Sequence, residues 1–595
     1  MDVARRLYWL PPALICLAAF SRGLFCWFQQ DDFAFLRLEV YGWEDLGRHL
    51  FLPQAQGVIR PLSGTLFFVV LRRLFGWNAF PYHLLVFLTQ LANLGLMAAV
   101  VRKLTGARSA AVAAVLVWGL NSALAAPMTW AAAYNQILCS FFYLAAFLMF
   151  LRHVETGYRS YYYWQVGLFL TGFGALETMA AYPAALLVYC LLRARGQAWK
   201  AAVLLLPSAG YAALHLWGIE RDPAGPYVPR LDWGVLGALW HYWSRVLGGA
   251  LVAVAVLSGG LAAALLRARR GQRGVALFGL GWFALTLAPV LPLGSHRLDY
   301  YLTVPAMGLA MAVGALLPGV PRMAAVLWLG VYFAVSVPLV VREAERHYRR
   351  SVAARRLIEG AVDARRLHPD KTILLTGVDD SLFYGAVYHQ GLRAAGVRNI
   401  YLAPTSEGIS TQPGLSPVAD YRLGSRATLG ALARDQAVVY EVAGGRLQNI
   451  TNRYKALAPV VLEPEAPRRV DAGAPAMAPQ LGPGWHQIEG DHRWMGRRAE
   501  VRLAAPRSER ERLRIRAFYG RPASLGPVEL TVSVGGVVVG RVLIRDDRTG
   551  EHTFALPAAA RGEEMTVTLE TDRTFRVPGD SRDLGLAFGV IELVR

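Results

Sequence analysis

Two adjacent acidic residues, Asp31 and Asp32, follow the first apolar segment of the chain in the stretch CWFQQDDFAFLRL. An ionisable residue at the edge of a membrane is costly to desolvate and usually marks a functional site. Two neighbouring carboxylates near a low-dielectric boundary resist being ionised together, which suits one of them to act as a general base. Helix capping is the alternative, because either side chain could accept free backbone N–H groups at the start of FAFLRL.

Other ionisable residues are predicted to lie on the same side of the membrane, each near the outer end of an apolar segment. They are Arg60, His83, Glu177, His296 and Arg297. Guanidinium groups are permanent cations whose geometry suits phosphate. The combination predicts a non-cytoplasmic pocket of acids and bases.

The composition places these residues in an integral membrane protein. The chain has 595 residues, of which 54% are hydrophobic, and a formal net charge of +20. Many arginines fall in short runs between apolar segments, as in cytoplasmic loops, so membrane orientation accounts for much of the charge and a nucleic-acid partner is not predicted. The four cysteines, Cys16, Cys26, Cys139 and Cys190, lie in apolar stretches and predict neither a disulfide framework nor a zinc site.

About eleven apolar runs approach membrane-spanning length, and the first is interpreted as an uncleaved helix. With a cytoplasmic N-terminus, the basic loops follow the positive-inside rule and everything after about residue 341 is exported. The loop 28–79 is then external and contains two segments typical of interfacial helices. The runs lie near 7–27, 80–101, 109–126, 133–151, 161–177, 179–193, 200–217, 245–266, 274–293, 300–317 and 323–341.

The remainder of the chain predicts exported domains. Residues 342–460 indicate an amphipathic helix and a small α/β unit, residues 461–484 a Pro-rich and Gly-rich linker, and residues 485–595 a β-sandwich. Asp379 and Asp380 follow a strand, where a solvated turn is favoured over a ligand site. Trp485, Trp494 and Arg493 could stack on sugar, but a structural role in the sandwich is favoured.

Four stretches resemble the membrane half of GT-C glycosyltransferases, over about residues 1–341. They are the Asp31–Asp32 pair, IRPLSGTLFFVVLRRLFGWNAFPYHLLVFLTQLANLGLMAAVVRKLTG at 59–106, ALETMAAYPAALL at 175–187 and SHRLDYYLTVPAMGLAM at 295–311. The likeness is greatest to the tetratricopeptide-bearing O-mannosyltransferase-like branch, with protein O-mannosyltransferases and aminoarabinose transferases as wider relatives.

The resemblance implies a role for each candidate residue. Asp31 or Asp32 would be the base, and Arg297 would bind the phosphate of a lipid-linked sugar donor. Between the two carboxylates, Asp32 is slightly favoured because it lies further from the end of the first helix and nearer the interfacial helices. Arg60, in the RPL match, and His83, in the YH match, would line the site. In the mechanism expected here, Arg60 or His296 would assist Arg297 in stabilising the charge on the leaving phosphate. Glu177 stands where the family often has a Lys-Glu doublet, here with Leu176 in the first position.

The expected function is an inverting glycosyltransferase in a bacterial inner membrane, transferring a hexose or pentose from a polyprenyl-phosphate donor to a glycan, lipid or protein acceptor on the periplasmic side. No cofactor is required by this scheme, although a divalent metal on the acidic pair stays open. A glycan or lipid transporter and a non-catalytic glycan-binding scaffold are the alternatives.

Overall fold

The computed structural model describes residues 7–38, 40, 42–52, 59–217, 228–294, 296–406, 408–410, 418–490, 492–520, 526–545, 550–558, 560 and 562–594. The chain divides into two compact units. The first covers Met1–Arg355, and the second covers Arg356–Gln412 and Ser416–Arg595.

The first unit is α-helical. Its helices, named in chain order, are α1 Leu10–Ala19, α2 Asp32–Leu36, α3 Trp43–Phe51, α4 Phe67–Phe75, α5 Phe80–Thr105, α6 Arg108–Gly119, α7 Ala125–Thr129, α8 Tyr134–Thr156, α9 Arg159–Gly172, α10 Tyr182–Arg193, α11 Ala198–Val203, α12 Leu205–Trp217, α13 Gly234–Val246, α14 Leu251–Arg267, α15 Arg270–Leu287, α16 Pro305–Leu316 and α17 Arg322–Leu367, of which the part from Arg356 onward belongs to the second unit. A single π-helical turn, Pro61–Leu66, precedes α4.

Among the described residues, four helical segments are long and apolar enough to cross a membrane. They are Phe80–Thr105, Ala131–Thr156, Arg270–Leu293 and Arg322–Leu367, and the total rises to six if each of two bent helix pairs forms one span. Several segments of this length make the chain a multi-pass membrane protein. The number of spans, about eleven in the sequence analysis, stays a prediction.

Local sequence signals explain where the long helices begin and end. Proline occupies the first turn of α5 and of α16, where a missing backbone N–H costs nothing. Gly106 and Gly157 end α5 and α8 with φ of 74° and 73°, the left-handed conformation that glycine adopts without penalty.

The helices α15 and α16 approach each other closely because glycines face each other across the contact. A Cβ atom added at Gly308 would lie 2.3 Å from the carbonyl oxygen of Gly279, and one added at Gly279 would lie 2.4 Å from the carbonyl oxygen of Gly308. Small residues allow this kind of close backbone packing between membrane helices. The contact fixes α16, which follows directly after the segment that carries His296 and Arg297.

The helix α17 continues without a break through the point where the sequence analysis separated a last span from an amphipathic helix. It has 46 residues and contains Pro338. The residues change from apolar to charged after Val341, but the backbone stays helical across this point. Helical periodicity alone could not place a boundary there, because both halves have good helix formers.

The second unit contains a four-stranded sheet of order β2-β1-β3-β4, in which β1 pairs in parallel with β2 and β3. The strands are β1 Thr372–Thr376, β2 Ile400–Leu402, β3 Ala437–Ala443 and β4 Arg446–Asn449. The helices are the short α18 Asp380–Leu382 and α19 Gly391–Ala394, followed by the longer α20 Ser425–Ala433 and α21 Thr451–Val461. The parallel strands and the helices between them are those of a small α/β unit, as the sequence predicts within residues 342–460.

The remaining strands form two antiparallel sheets, of order β11-β10-β13-β8 and β12-β9-β14-β7-β6, as expected for a sandwich. They are β5 Arg469–Asp471, β6 Trp485–Glu489, β7 His492–Met495, β8 Arg498–Ala504, β9 Arg512–Phe518, β10 Val528–Val534, β11 Val537–Ile544, β12 Gly550–Ala555, β13 Glu564–Thr571 and β14 Ala587–Val594. Side chains alternate between buried and at least partly exposed along β8, β10 and β13, which explains the period-two sequence pattern.

The stretch 461–484, which the sequence predicted as a linker, contains ordered structure. The strand β5 pairs with β14, and a 3₁₀ helix follows at Pro475–Gln480. The sandwich sheet thus includes residues before 485. A strand of three residues among prolines and glycines is too short to give an alternating pattern in the sequence.

Candidate active site

The carboxylate of Asp32 is completely buried and is held by two backbone amides. Its Oδ2 accepts a hydrogen bond from the N–H of Gln29 at 2.9 Å, and its Oδ1 accepts one from the N–H of Ala132 at 2.6 Å. Burial raises the pKa of this carboxyl, and the two amide donors oppose that rise. Both oxygens therefore join two loops, and the role of base that the sequence analysis slightly favoured for Asp32 stays a prediction that this geometry does not favour.

Asp31 occupies a different environment from its neighbour. It is the residue before α2, it is half-buried, and its side chain makes no capping hydrogen bond to the helix. The residue before it, Gln30, has φ of 55°, a conformation that residues other than glycine adopt at some energetic cost. Neither acidic side chain caps FAFLRL, so the capping alternative does not account for this pair.

Several contacts fix the loop that carries the acidic pair. The side-chain amide of Gln29 donates to the carbonyl oxygens of Thr129 and His347 at 3.4 and 3.5 Å, and the indole of Trp130 donates to the carbonyl oxygen of Gln29 at 3.2 Å. The backbone N–H of Trp27 donates to Ser351 at 3.0 Å. The position of Asp31 is therefore set by contacts from two other parts of the first unit.

Arg60 and Glu177 form a bidentate ion pair. The Arg60 Nε donates to Glu177 Oε2 at 2.9 Å and its Nη2 donates to Oε1 at 2.5 Å. Burial alone would raise the pKa of Glu177, but the charge of Arg60 and its hydrogen bonds outweigh burial and hold that pKa below its ordinary value. Burial would likewise lower the pKa of Arg60, whereas Glu177 raises it overall.

Local backbone contacts bring this pair together from positions 117 residues apart. The N–H of Leu62 donates to the carbonyl oxygen of Gly174 at 2.9 Å, and the hydroxyl of Ser63 donates to the carbonyl oxygen of Ala175 at 2.6 Å. A Cβ at Gly174 would lie 2.9 Å from the Leu62 side chain, so glycine permits the approach. Hydrogen bonds thus join the RPLSG stretch at 60–64 directly to the GALE stretch at 174–177.

Tyr300 links the ion pair to the acidic loop. Its ring packs against Trp130 with the ring centroids 6.1 Å apart, and Trp130 is hydrogen-bonded to the loop that carries Asp31. Tyr300 and Tyr301 also contribute to the raised pKa of Arg60, so they lie near its guanidinium. Segments around residues 30, 60, 130, 177 and 300 therefore converge in the first unit.

His83 lies apart from this arrangement. It is fully buried within α5, and within the described chain neither ring nitrogen has a hydrogen-bond partner. An imidazole without exposure cannot contact a substrate unless the structure opens. The substrate-lining role predicted for His83 stays a prediction that this geometry does not favour.

Arg297 and His296 lie on the segment before α16. The Arg297 Nε donates to the carbonyl oxygen of Gly294 at 2.9 Å, and its Nη2 would lie 3.3 Å from a Cβ atom at Gly237. Glycine at position 237 therefore lets the guanidinium lie against α13. Burial lowers the pKa of His296, which favours its neutral form at pH 7.

One face of α13 carries residues that the sequence analysis did not select. Gly237, His241 and Arg245 follow one another at intervals of four residues, which places them on the same side of the helix. Arg245 donates through Nε to Asp299 Oδ2 at 3.0 Å, with a second bond through Nη2, and His241 Nε2 lies 3.6 Å from Asp299 Oδ1. The four-residue spacing of glycine, histidine and arginine was the available signal.

The candidates in the second unit have structural roles. Asp379 caps the short helix α18 by accepting the N–H of Leu382 at 2.8 Å, and Asp380 accepts the N–H and hydroxyl of Ser410, 30 residues further along the chain, at 2.7 and 2.9 Å. Trp494 is buried against Phe518 and Phe575 in the sandwich.

Trp485 and Arg493 also act within the sandwich. Trp485 donates to the carbonyl oxygen of Glu500 at 2.7 Å, and Arg493 donates to the carbonyl oxygens of Ala472 and His486 at 3.1 and 2.9 Å. Among the described residues, no three or more His, Cys, Asp or Glu side chains lie together in a group that could hold a metal ion.

No protein-family model matches the chain, and no curated protein matches it. Solved structures of GT-C glycosyltransferases are similar to it, and this is the superfamily that the sequence motifs resemble. The arabinofuranosyltransferase AftD from Mycobacteria shares 14% identity with a TM-score of 0.44, and the match covers 99% of this chain and 58% of AftD. The chain therefore spans less than two thirds of the length of AftD.

Two further structures are similar over most of the chain. ArnT from Cupriavidus metallidurans, bound to undecaprenyl phosphate, shares 13% identity over 78% of this chain and 96% of its own, with a TM-score of 0.40. The archaeal oligosaccharyltransferase AglB from Archaeoglobus fulgidus, in complex with an inhibitory peptide and a dolichol-phosphate, shares 11% identity over 74% of this chain and 70% of its own, with a TM-score of 0.39.

Proposed function

We propose that this protein is a GT-C-type membrane glycosyltransferase that moves a sugar from a polyprenyl-phosphate donor to an acceptor on the non-cytoplasmic face. The observation that supports this most is the half-buried carboxylate of Asp31 on a loop anchored by Asp32, in the unit that also presents Arg297. A positioned acid and a positioned guanidinium are the two charges that such a transfer needs.

Asp31 is the proposed general base. Asp32 has both oxygens bound to backbone amides, and it could accept a proton only by losing one of those bonds. Asp31 is more accessible, and its neighbour holds the loop in place. The acidic pair thus divides its roles, with one residue for chemistry and one for positioning.

Arg297 is the proposed phosphate-binding residue. Within the described part of the chain, its one hydrogen bond uses Nε, so the Nη groups remain to bind phosphate oxygens. Arg60, in contrast, gives both Nε and Nη2 to Glu177, and binding phosphate would break a bidentate pair. We therefore assign Arg60 and Glu177 to positioning the loop around residue 60.

In the proposed step, Asp31 removes the proton of an acceptor hydroxyl while its oxygen attacks the anomeric carbon. The bond between that carbon and the phosphate oxygen breaks, and polyprenyl phosphate leaves with its charge stabilised by Arg297. A single displacement inverts the anomeric configuration and forms no covalent sugar–enzyme intermediate. This step needs no resident cofactor, because the guanidinium supplies the positive charge.

The positive-inside pattern of the loops supports placing this site on the outer face. A polyprenyl tail stays in the lipid while its sugar phosphate remains at the interface. A bacterial inner membrane, with the second unit on the periplasmic side, fits that arrangement.

The test uses a deletion strain that expresses the full-length wild type or the variants Asp31→Asn, Arg297→Gln and, as a matched control, Asp363→Asn on the exposed face of α17. Mass spectrometry of surface glycans, lipids and proteins should reveal a sugar that depends on the wild type and the control. The sugar should be lost with Asp31→Asn and Arg297→Gln at equal membrane abundance. Normal modification in both active-site variants would contradict the proposal.

A further inference from the structure

A cavity of about 300 Å³ lies within the second unit, between the four-stranded sheet β2-β1-β3-β4 and the sandwich sheet that contains β9 and β14. This volume is at the small end of the range for ligand pockets and suits a ligand of roughly one or two sugar rings. The lining includes Arg393, Tyr401, Asp420, Tyr421, Arg469 and Phe518.

The charges around the cavity compensate one another. Arg469 lies 3.1 Å from Asp420, and Arg393 lies 4.0 Å from Asp471. Arg516 donates through Nε to Glu551 at 2.9 Å. Each arginine of the lining is thus paired with a carboxylate, so the cavity has no excess charge to select an anion or a cation.

The walls nevertheless offer many donors and acceptors close to aromatic rings. Guanidinium and carboxylate groups held in ion pairs keep N–H groups and lone pairs that can also bind hydroxyls. Tyr401, Tyr421 and Phe518 add ring surfaces for C–H groups, and the Tyr421 hydroxyl is fixed by donating to the carbonyl oxygen of Tyr388 at 2.8 Å. A ligand with hydroxyls on its rim and C–H groups on its faces matches this lining.

An irregularity in the backbone of β14 lies beside the cavity, at Gly589. The pairing of β14 with β9 shifts register between Phe588 and Val590, and Gly589 lies at this bulge. A Cβ atom added at Gly589 would meet no atom within 4 Å. Bulges often occur beside functional sites, because they redirect side chains and interrupt pairing.

We infer that this cavity binds a neutral sugar, as one or two units of a glycan. The compensated charges favour an uncharged ligand, and the paired Arg and Asp groups bind its hydroxyls. The inference goes beyond the proposed transfer activity and does not depend on it, since none of the lining residues belongs to the first unit.

The experiment measures binding of the full-length protein in detergent to an array of immobilised oligosaccharides. The neutral probes are di- to tetrasaccharides of glucose, galactose, mannose, rhamnose and arabinose, and the charged probes are oligogalacturonate and phosphorylated mannose. The variants are Gly589→Leu, which places a side chain in the open space, and Tyr401→Phe, which removes one hydroxyl. The matched control is Gly424→Leu, since a Cβ there also meets no atom within 4 Å and Gly424 does not line the cavity.

The wild type and Gly424→Leu should bind at least one neutral probe with equal affinity. Gly589→Leu should weaken that binding by more than about tenfold, and Tyr401→Phe by roughly two- to tenfold, the effect of one neutral hydrogen bond. If Gly589→Leu does not fold, the Tyr401→Phe result decides alone.

Three outcomes would overturn the inference. They are that the protein binds no neutral probe, that Gly589→Leu and Tyr401→Phe both bind the neutral probe as the wild type does, or that the protein prefers the charged probes. Asp31→Asn separates this inference from the proposed catalysis. It should bind the probe as the wild type does, even when it transfers no sugar.

Discussion

The Oδ1 atom of Asp32 accepts a hydrogen bond from the backbone N–H of Ala132 at 2.6 Å, joining two segments that are 100 residues apart. With Oδ2 bound to Gln29, this contact makes Asp32 the anchor of the loop that presents Asp31. Two adjacent residues of the same type therefore have different surroundings, and substitutions of the two should have different effects.

Asp32→Asn should destabilise the protein more than Asp31→Asn does. An asparagine has one side-chain oxygen, so its amide group would face one of the two backbone N–H donors and leave that donor without an acceptor. An unsatisfied buried donor costs about 1–3 kcal/mol. Thermal unfolding of both variants in detergent measures the difference, and equal midpoints would contradict the anchoring role.

Asp31→Asn should keep wild-type stability while sugar transfer falls by roughly 10²- to 10⁴-fold, as for the loss of a general base. The amide is nearly isosteric with the carboxylate but cannot accept the proton. The assay compares initial rates at equal protein abundance, with thermal unfolding measured on the same sample. A rate within a factor of about two of the wild type would exclude Asp31 as the base.

Removing one partner of the Arg60–Glu177 pair should destabilise the first unit, because the charge of the other partner is then left unpaired. The side chains are 22% and 31% exposed, so solvent moderates the penalty, and we expect about 1–3 kcal/mol for Arg60→Met or Glu177→Gln. The double variant Arg60→Met/Glu177→Met should recover part of this loss, because no charge is then left unpaired. A double variant with the summed loss of both single variants would indicate no coupling.

The same pair predicts a pH dependence in the acid range. The folded-state pKa of Glu177 is below its ordinary value, so its contribution to stability is present above the unfolded pKa and is lost as the pH falls through the folded pKa. Unfolding midpoints of the wild type should therefore drop on acidification below about pH 4.3, the ordinary value for glutamate. Glu177→Gln should show a smaller drop, and an identical profile would contradict the ionised state of Glu177.

Parts of this architecture were predictable from local sequence patterns. The strands of the sandwich and the β1–helix–β2 segment follow from hydrophobic periodicity, because buried faces impose it on the sequence. The strand β5 escaped prediction, since three residues carry too little periodic signal. The continuity of helix α17 also escaped prediction, because the residues on both sides of the change from apolar to charged sequence are good helix formers.

The candidate site was predictable by residue type but not by role. Sequence spacing selected Asp31, Asp32, Arg60 and Glu177, yet it could not show which oxygens are already bound to backbone amides or to an arginine. That information depends on tertiary contacts such as Asp32 with Ala132. The Arg245–Asp299 pair was missed because its partners are 54 residues apart and neither lies in a conspicuous motif.

Asp299→Asn provides a last prediction, for the α13 face that lies beside Arg297. Asp299 binds Arg245 through two hydrogen bonds and lies near His241, so it holds α13 against the segment that carries Arg297. Removing its charge should loosen this segment and weaken donor binding, raising KM for the lipid-linked sugar by about tenfold. The turnover number should change less, since Asp299 acts through Arg297 rather than on the reacting atoms.

Steady-state kinetics over donor concentration separate the two parameters, and Asp363→Asn is the matched control. A fall in kcat with unchanged KM would instead place Asp299 among the groups that act in the transition state.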